Sequence, residues 1–296
     1  MTAMTTMPPV TGLQYYQVDV FTHEAMAGNG LSVFLPESPL PARLMQRLAI
    51  EMRQFESIFI TPDGPGNRFE ARIFTMDEEL DFAGHPLLGA AGLLHHLHAA
   101  DQPAADWTLM LGTRAVAINT TRKEGPQGTY NASMNQGVAS VGAALGHADS
   151  LPFLAALGLG AAQLDVRFPL QVVSTGLPYL LVPVVGGLER AKIVHPDFET
   201  LLATAGAKFA YVLDVSAREG RTWDNAGLVE DIATGSAAGP AGAYLLHHGA
   251  AKANEVITLR QGRFAGRPSR ITVQANAAGE MLVSGGVVVL ARGQLL

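Results

Sequence analysis

The hydrophobic positions of this chain follow two spacings. Short apolar or alternating runs of strand length occur at VDVFT (18–22), LSVFLP (31–36), ESIFIT (56–61) and FEARIFT (69–75). Between the second and third of them, Leu44 to Met52 carries apolar residues at helical spacing. A second helix is predicted from Pro86 to His98, with Pro86 in the first turn, where its missing N–H costs nothing. This second helix is apolar and small all round, which places it in a core, wrapped by strands that its Gly and Ala residues allow to come close. An ordinary layered α+β packing gives the same pattern and stays open at this level.

The pattern then repeats. Residues 82–94, FAGHPLLGAAGLL, align with 232–246, IATGSAAGPAGAYLL, when Gly84-His85 is set on Gly235-Ser236, and each run ends in a His pair. LMQRLAIEMRQFESIFIT (44–61) matches FETLLATAGAKFAYVLD (198–214) as amphipathic helix then strand, and NGLSVFLP (29–36) matches LPYLLVPV (177–184). Three matches in the same order, about 150 residues apart, point to two related halves. The 296-residue length fits two domains as well. We expect a loose tail over 1–12, a first domain over 13–127 plus 284–296, and a second over 128–283.

Composition narrows the class. Hydrophobic residues are 48% and charged ones 16%, which suits a well-buried enzyme. The net charge of −6 gives no basic stripe for a nucleic-acid backbone, so that partner is not expected. With no cysteine, disulfides, thiolate metal sites and cysteine catalysis are excluded, which suits the cytoplasm. The first residues, MTAMTTMPPVTG, lack the blocks of a signal peptide, and no apolar run is long enough for a membrane span.

Candidate chemistry gathers at three places. VEDIATGSAAGP (229–240) sets Asp231, Thr234, Gly235 and Ser236 at the start of a helix, where backbone N–H groups without partners can hold an anion. Asp, Ser and Thr also serve there as plain N-caps. The matching DFAGHP (81–86) offers Gly84 and His85. Glu56 lies between Phe55 and an apolar strand; a carboxylate in such surroundings either finds a partner or has its pKa raised, as general acid–bases require. It can equally be an exposed acid at a helix–strand junction. The second half has Phe209 at the matching position, so the acid is not part of the shared scaffold. His95, His96 and His98 end a helix, where imidazole complements the dipole, and no metal site is expected. No dinucleotide or P-loop glycine pattern occurs, so no nucleotide cofactor is indicated.

At these residues the chain resembles the PhzF-like family of phenazine-biosynthesis isomerases, which have the diaminopimelate epimerase fold. The resemblance rests on VDVFTHEAMAGNGLSVF (18–34), LMQRLAIEMRQFESIFI (44–60), FAGHPLLGAA (82–91), ASMNQ (132–136), EDIATGSAAGP (230–240) and RQGRFAGRPSRI (260–271). It implies two similar α+β domains, each a curved, barrel-like mixed sheet around a central helix, related by a pseudo-twofold, with the active site between them. It also implies a homodimer, no cofactor and a small carboxylate substrate. By this resemblance Glu56 shuttles the proton, His85 and Asp231 hold the substrate and assist, and Ser236 with Gly84, Gly235 and Thr234 frames its carboxylate. The implied reaction is isomerisation of trans-2,3-dihydro-3-hydroxyanthranilate. Gly30 and Ile232 replace frequent prolines, while Phe55 and Met76-Asp77 depart from the family near the motifs and bear on the substrate more than on the reaction type. Two other readings remain: an isomerase of another small cyclic or amino carboxylate, and a silent carboxylate-binding protein. Racemases of this fold that use a cysteine pair are excluded by the absence of cysteine.

Overall fold

A computed structural model describes residues 10–124 and 128–296. Of the expected tail, residues 1–9 lie outside the described residues, while Val10 packs on a buried cluster that includes Phe34, Leu44 and Phe59, and Gly12 donates its N–H to the Leu295 carbonyl. The chain forms two compact units. Of the described residues, the first holds those up to Met26, Gly30–Ala132 and Val287–Leu296; the second holds Ala27–Asn29 and Ser133–Gly286.

The first unit contains β1 (Gln14–Val20), β2 (Asn29–Phe34) from Gly30 onward, α1 (Ala42–Met52), β3 (Glu56–Pro62), β4 (Arg68–Phe74), the two-residue β5 (Glu79–Leu80), α2 (Gly84–His98), β6 (Ala104–Leu111), β7 (Arg114–Arg122) and the start of β8 (Thr129–Val138). β2 and β3 pair in parallel across α1, β3 and β4 are antiparallel, and β4 and β6 are again parallel across α2. The last strand of the chain, β16 (Glu280–Gln294), pairs antiparallel with β1 from Val287 onward. The order β1-β2-β3-β4-β6-β7-β8-β16, with β1 on β16, closes an eight-strand barrel.

The second unit follows the same path. It contains β9 (Ser140–Ala144), α3 (His147–Ala156), β10 (Gln171–Ser174), β11 (Pro178–Val184), α4 (Phe198–Thr204), β12 (Phe209–Asp214), β13 (Glu219–Arg221), α5 (Gly235–His247), β14 (Ile257–Gln261) and β15 (Ser269–Ala275). β11 and β12 are parallel across α4, β12 and β13 antiparallel, and β13 and β14 parallel across α5. Leu31 stands opposite Glu56 in one unit and Tyr179 opposite Phe209 in the other, the register that the sequence repeat gives. The α+β architecture of two similar units is thus present.

Each unit encloses one helix. Every residue of α2 from Gly84 to His95 is buried, as is every residue of α5 from Ala237 to Leu245. A helix so placed has no polar face, and its small residues set how near the strands come. A Cβ on Gly92 would lie 2.5 Å from Val287 Cγ1, and one on Gly242 would lie 2.6 Å from Val273 Cγ1. The helix ends are tied by imidazoles: His95 Nδ1 reaches Thr120 Oγ1 at 2.8 Å and Nε2 the Gln102 carbonyl at 3.1 Å, while His248 Nε2 reaches Gln171 Oε1 at 2.7 Å. Outside the barrel, α1 lays Leu44, Met45 and Leu48 against Phe34, Phe59 and Phe74. Phe34 and Phe59 stack at 4.6 Å. Among the described residues no helix is long and apolar enough to cross a membrane.

Gly92→Ala tests the sheathing directly. On an exposed helix this change is stabilising by about 1 kcal/mol; here the forced shift of Val287 should destabilise by roughly 1–3 kcal/mol. Urea unfolding reads the sign, and a raised midpoint would contradict the close packing.

Candidate active site

In the first unit the acid and the imidazole meet. α1 ends at Arg53 with φ 52°, and the chain turns so that Glu56 opens β3. His85 is the second residue of α2. Glu56 Oε2 lies 2.9 Å from His85 Nδ1, with the two residues 7% and 3% exposed. The carboxylate therefore finds a partner rather than solvent, and the junction is not an exposed one. The N-cap residue just before this helix is Ala83, whose side chain cannot cap it. The N–H groups of Gly84 and His85 thus start the helix with no side-chain cap from that residue.

The second unit builds a different arrangement at its matching helix start. The segment before α5 is pinned first. Arg221 donates from Nε and Nη2 to both carboxylate oxygens of Glu230 at 2.8 and 2.6 Å, and from Nη1 to the carbonyls of Leu188 and Ala191 at 2.8 and 3.0 Å. Its guanidinium lies 4.8 Å from the Trp223 ring and 4.7 Å from the Phe264 ring. A planar, five-donor group is suited to such a clamp. The next residue, Asp231, donates its N–H to the Thr222 carbonyl at 3.1 Å.

Asp231 is 7% exposed and surrounded by donors. Oδ1 accepts from Asn29 Nδ2 at 2.8 Å, and Oδ2 accepts the Thr234 hydroxyl proton at 2.6 Å. Asn29 also donates to the Ala233 carbonyl at 3.0 Å. Gln261 Nε2 donates to Thr234 Oγ1 at 2.9 Å and to the Asp231 carbonyl at 2.8 Å, and its Oε1 accepts from Thr234 N at 3.2 Å. Tyr211 adds a bond to Gln261 Oε1 at 3.3 Å, and burial, aided by the Asp231 charge, pushes its phenol pKa up, so it stays a donor.

This network decides between a plain N-cap and something more. Thr234 is the N-cap residue of α5, yet its side chain makes no cap hydrogen bond. Its hydroxyl accepts from Gln261 and gives its proton to Asp231 instead. The first turn is closed by Ala237 and Ala238 donating to the Thr234 carbonyl. The N–H groups of Gly235 and Ser236 remain outside the helix ladder, as at any helix start. Ser236 Oγ lies 2.7 Å from Tyr179 OH, and Gln136 Nε2 donates to the Gly235 carbonyl at 2.9 Å.

Of the residues singled out from sequence, Glu56, Gly84 and His85 come together in the first unit, and Asp231, Thr234, Gly235 and Ser236 in the second. Asn29, Gln136, Tyr179 and Gln261 were missed. Asn29, Gln136 and Gln261 lay inside motifs already noted, in AGNG, ASMNQ and RQGRF, so the signal was present; Tyr179 sat in an apolar run with none. Among the described residues no group of three or more His, Asp or Glu is arranged to hold a metal ion.

Comparison with known proteins covers nearly the whole chain. The family model described as phenazine biosynthesis-like protein matches residues 18–293. The trans-2,3-dihydro-3-hydroxyanthranilate isomerase of Pseudomonas fluorescens is 33% identical over 95% of this chain and 99% of its own length. A solved structure of a predicted epimerase from Pseudomonas aeruginosa is 49% identical, with a TM-score of 0.90, covering 96% of this chain and 99% of that one. A phenazine biosynthesis protein from Bacillus anthracis shares the fold at 23% identity and a TM-score of 0.80, covering 96% of this chain and 99% of its own.

The Asp231 network makes a stability prediction independent of catalysis. Asn29 is 1% exposed, so Asn29→Ala should cost about 1–3 kcal/mol by leaving buried acceptors short of a donor. Chemical denaturation measures this, and an unchanged midpoint would contradict the network.

Proposed function

Because the chain belongs to the phenazine biosynthesis-like, PhzF-like family, we propose that it is a cofactor-independent isomerase that shifts a proton on trans-2,3-dihydro-3-hydroxyanthranilate, with Glu56 as the general acid–base. The observation that carries this reading is the buried Glu56–His85 contact of 2.9 Å at the start of a sheathed helix. A carboxylate set among Phe55 and the apolar β3, with an imidazole nitrogen against one oxygen, has the chemistry to take a proton from carbon and return it. In this reading Glu56 removes the proton from carbon 3 of the ring and delivers one to carbon 1. His85 holds the carboxylate in place and assists the transfer.

The second unit's residues take the binding roles. Asp231, fixed by Asn29 and Thr234, holds the substrate, and the N–H groups at Gly235 and Ser236 with the Ser236 hydroxyl receive its carboxylate. Helix starts bind anions through such groups and the helix dipole. Gly84 does the same in the first unit, and Thr234 acts through Asp231. The reading carries with it a homodimer in the cytoplasm, with no cofactor, acting ahead of phenazine assembly.

One observation favours a second reading. The relative of 49% identity is described as a predicted epimerase, whereas the dihydrohydroxyanthranilate isomerases stand at 33%. An isomerase of another small cyclic or amino carboxylate, using the same Glu56, follows from that. A cysteine-pair mechanism is not open to it, since the chain has no cysteine.

Glu56→Gln separates catalysis from silent binding. Turnover of trans-2,3-dihydro-3-hydroxyanthranilate, followed by ultraviolet absorbance, should fall ~10²–10⁴-fold while affinity for a non-reacting carboxylate analogue and the thermal midpoint hold. Equal turnover by the variant would remove Glu56 from the mechanism. Binding without turnover in the wild type would favour another substrate or the silent protein.

A further inference from the structure

The place where Glu56 meets His85 has a counterpart in the second unit with different chemistry. Phe209 stands where the repeat has Glu56, Ser236 where it has His85, and Tyr179 where it has Leu31. The acid–imidazole contact is replaced by a hydroxyl pair, Tyr179 OH to Ser236 Oγ at 2.7 Å. The Tyr179 ring lies 5.6 Å from that of Phe209, tilted by 30°. Tyr179 is 3% exposed on β11, whose residues from Tyr179 to Val184 are all buried, so its ring is held rather than free to swing. Ser236 is half-buried at the helix start.

Only one proton can lie between the two oxygens. A phenol is more acidic than an aliphatic alcohol and is the better donor, while the alcohol is the better acceptor. We infer that Tyr179 is a positioning residue that donates to Ser236 Oγ and thereby turns the Ser236 proton away from itself, toward a carboxylate held at the N–H groups of Gly235 and Ser236. The inference rests on the reading that Ser236 receives the substrate carboxylate. With the opposite orientation, Ser236 would present only lone pairs to an anion. Tyr179 therefore makes the site selective for a carboxylate over its uncharged amide, without touching the substrate.

The test uses the whole chain and two stable probes, anthranilate and anthranilamide, with binding measured by calorimetry. Tyr179→Phe keeps the ring and its packing on Phe209 and removes only the hydroxyl. It should weaken anthranilate about tenfold, equivalent to ~1.4 kcal/mol, and leave anthranilamide unchanged. Ser236→Ala should also weaken anthranilate, and Tyr179→Phe added to it should have no further effect on anthranilate binding. Unchanged anthranilate binding in Tyr179→Phe beside weakened binding in Ser236→Ala would overturn the inference alone. So would equal loss of both probes, or additive losses in the double variant, either of which marks a merely structural role. No anthranilate binding by the unaltered chain, no preference for it over the amide, or no effect of Ser236→Ala would overturn the carboxylate reading of Ser236 and this inference with it.

Discussion

A helix with no polar face can exist in water only if strands cover it on every side, and that requirement organises each unit of this chain. α2 and α5 are short, rich in Gly and Ala, and buried along nearly their whole length. Their glycines admit Val287 and Val273 at distances that a methyl group would not allow. Once such a helix is sheathed, its sides have no chemistry to offer. Its first turn does, because N–H groups without helical partners emerge there. The candidate side chains therefore collect at the two helix starts and at strand ends that reach them, as Glu56 does at the beginning of β3.

The two starts have been used differently. The first unit brings one acid against one imidazole. In the second, a buried carboxylate sits among donors, and the N-cap threonine is diverted from capping to support it. That diversion needs Gln261 and Asn29, far away in the chain, and an arginine clamp that fixes the approach to Asp231. Buried polar groups of this kind are costly unless each is satisfied, which ties them to one geometry.

Much of this was legible in the sequence for a physical reason. Strand and helix spacings differ in period, and a repeated order of elements survives even when identities drift, so the duplication and the absence of an acid at Phe209 could be read before any coordinates. The helix α2 begins at Gly84, two residues ahead of the predicted Pro86, which leaves Pro86 still within the first turn. What could not be read was partnership. Nothing local in AGNG says that Asn29 will reach Asp231, 202 residues on, or that Tyr179 in an apolar strand will turn its hydroxyl to Ser236. Such pairs are set by sheet register and packing, which a single sequence does not display.

The central claim is that Glu56 carries the proton. Its most direct measurement is proton NMR of the product formed from trans-2,3-dihydro-3-hydroxyanthranilate in deuterated water, for the unaltered chain beside Glu56→Gln. The account predicts deuterium on the ring carbon that receives the proton, in the unaltered chain alone. Labelled product formed equally by the glutamine variant would contradict it.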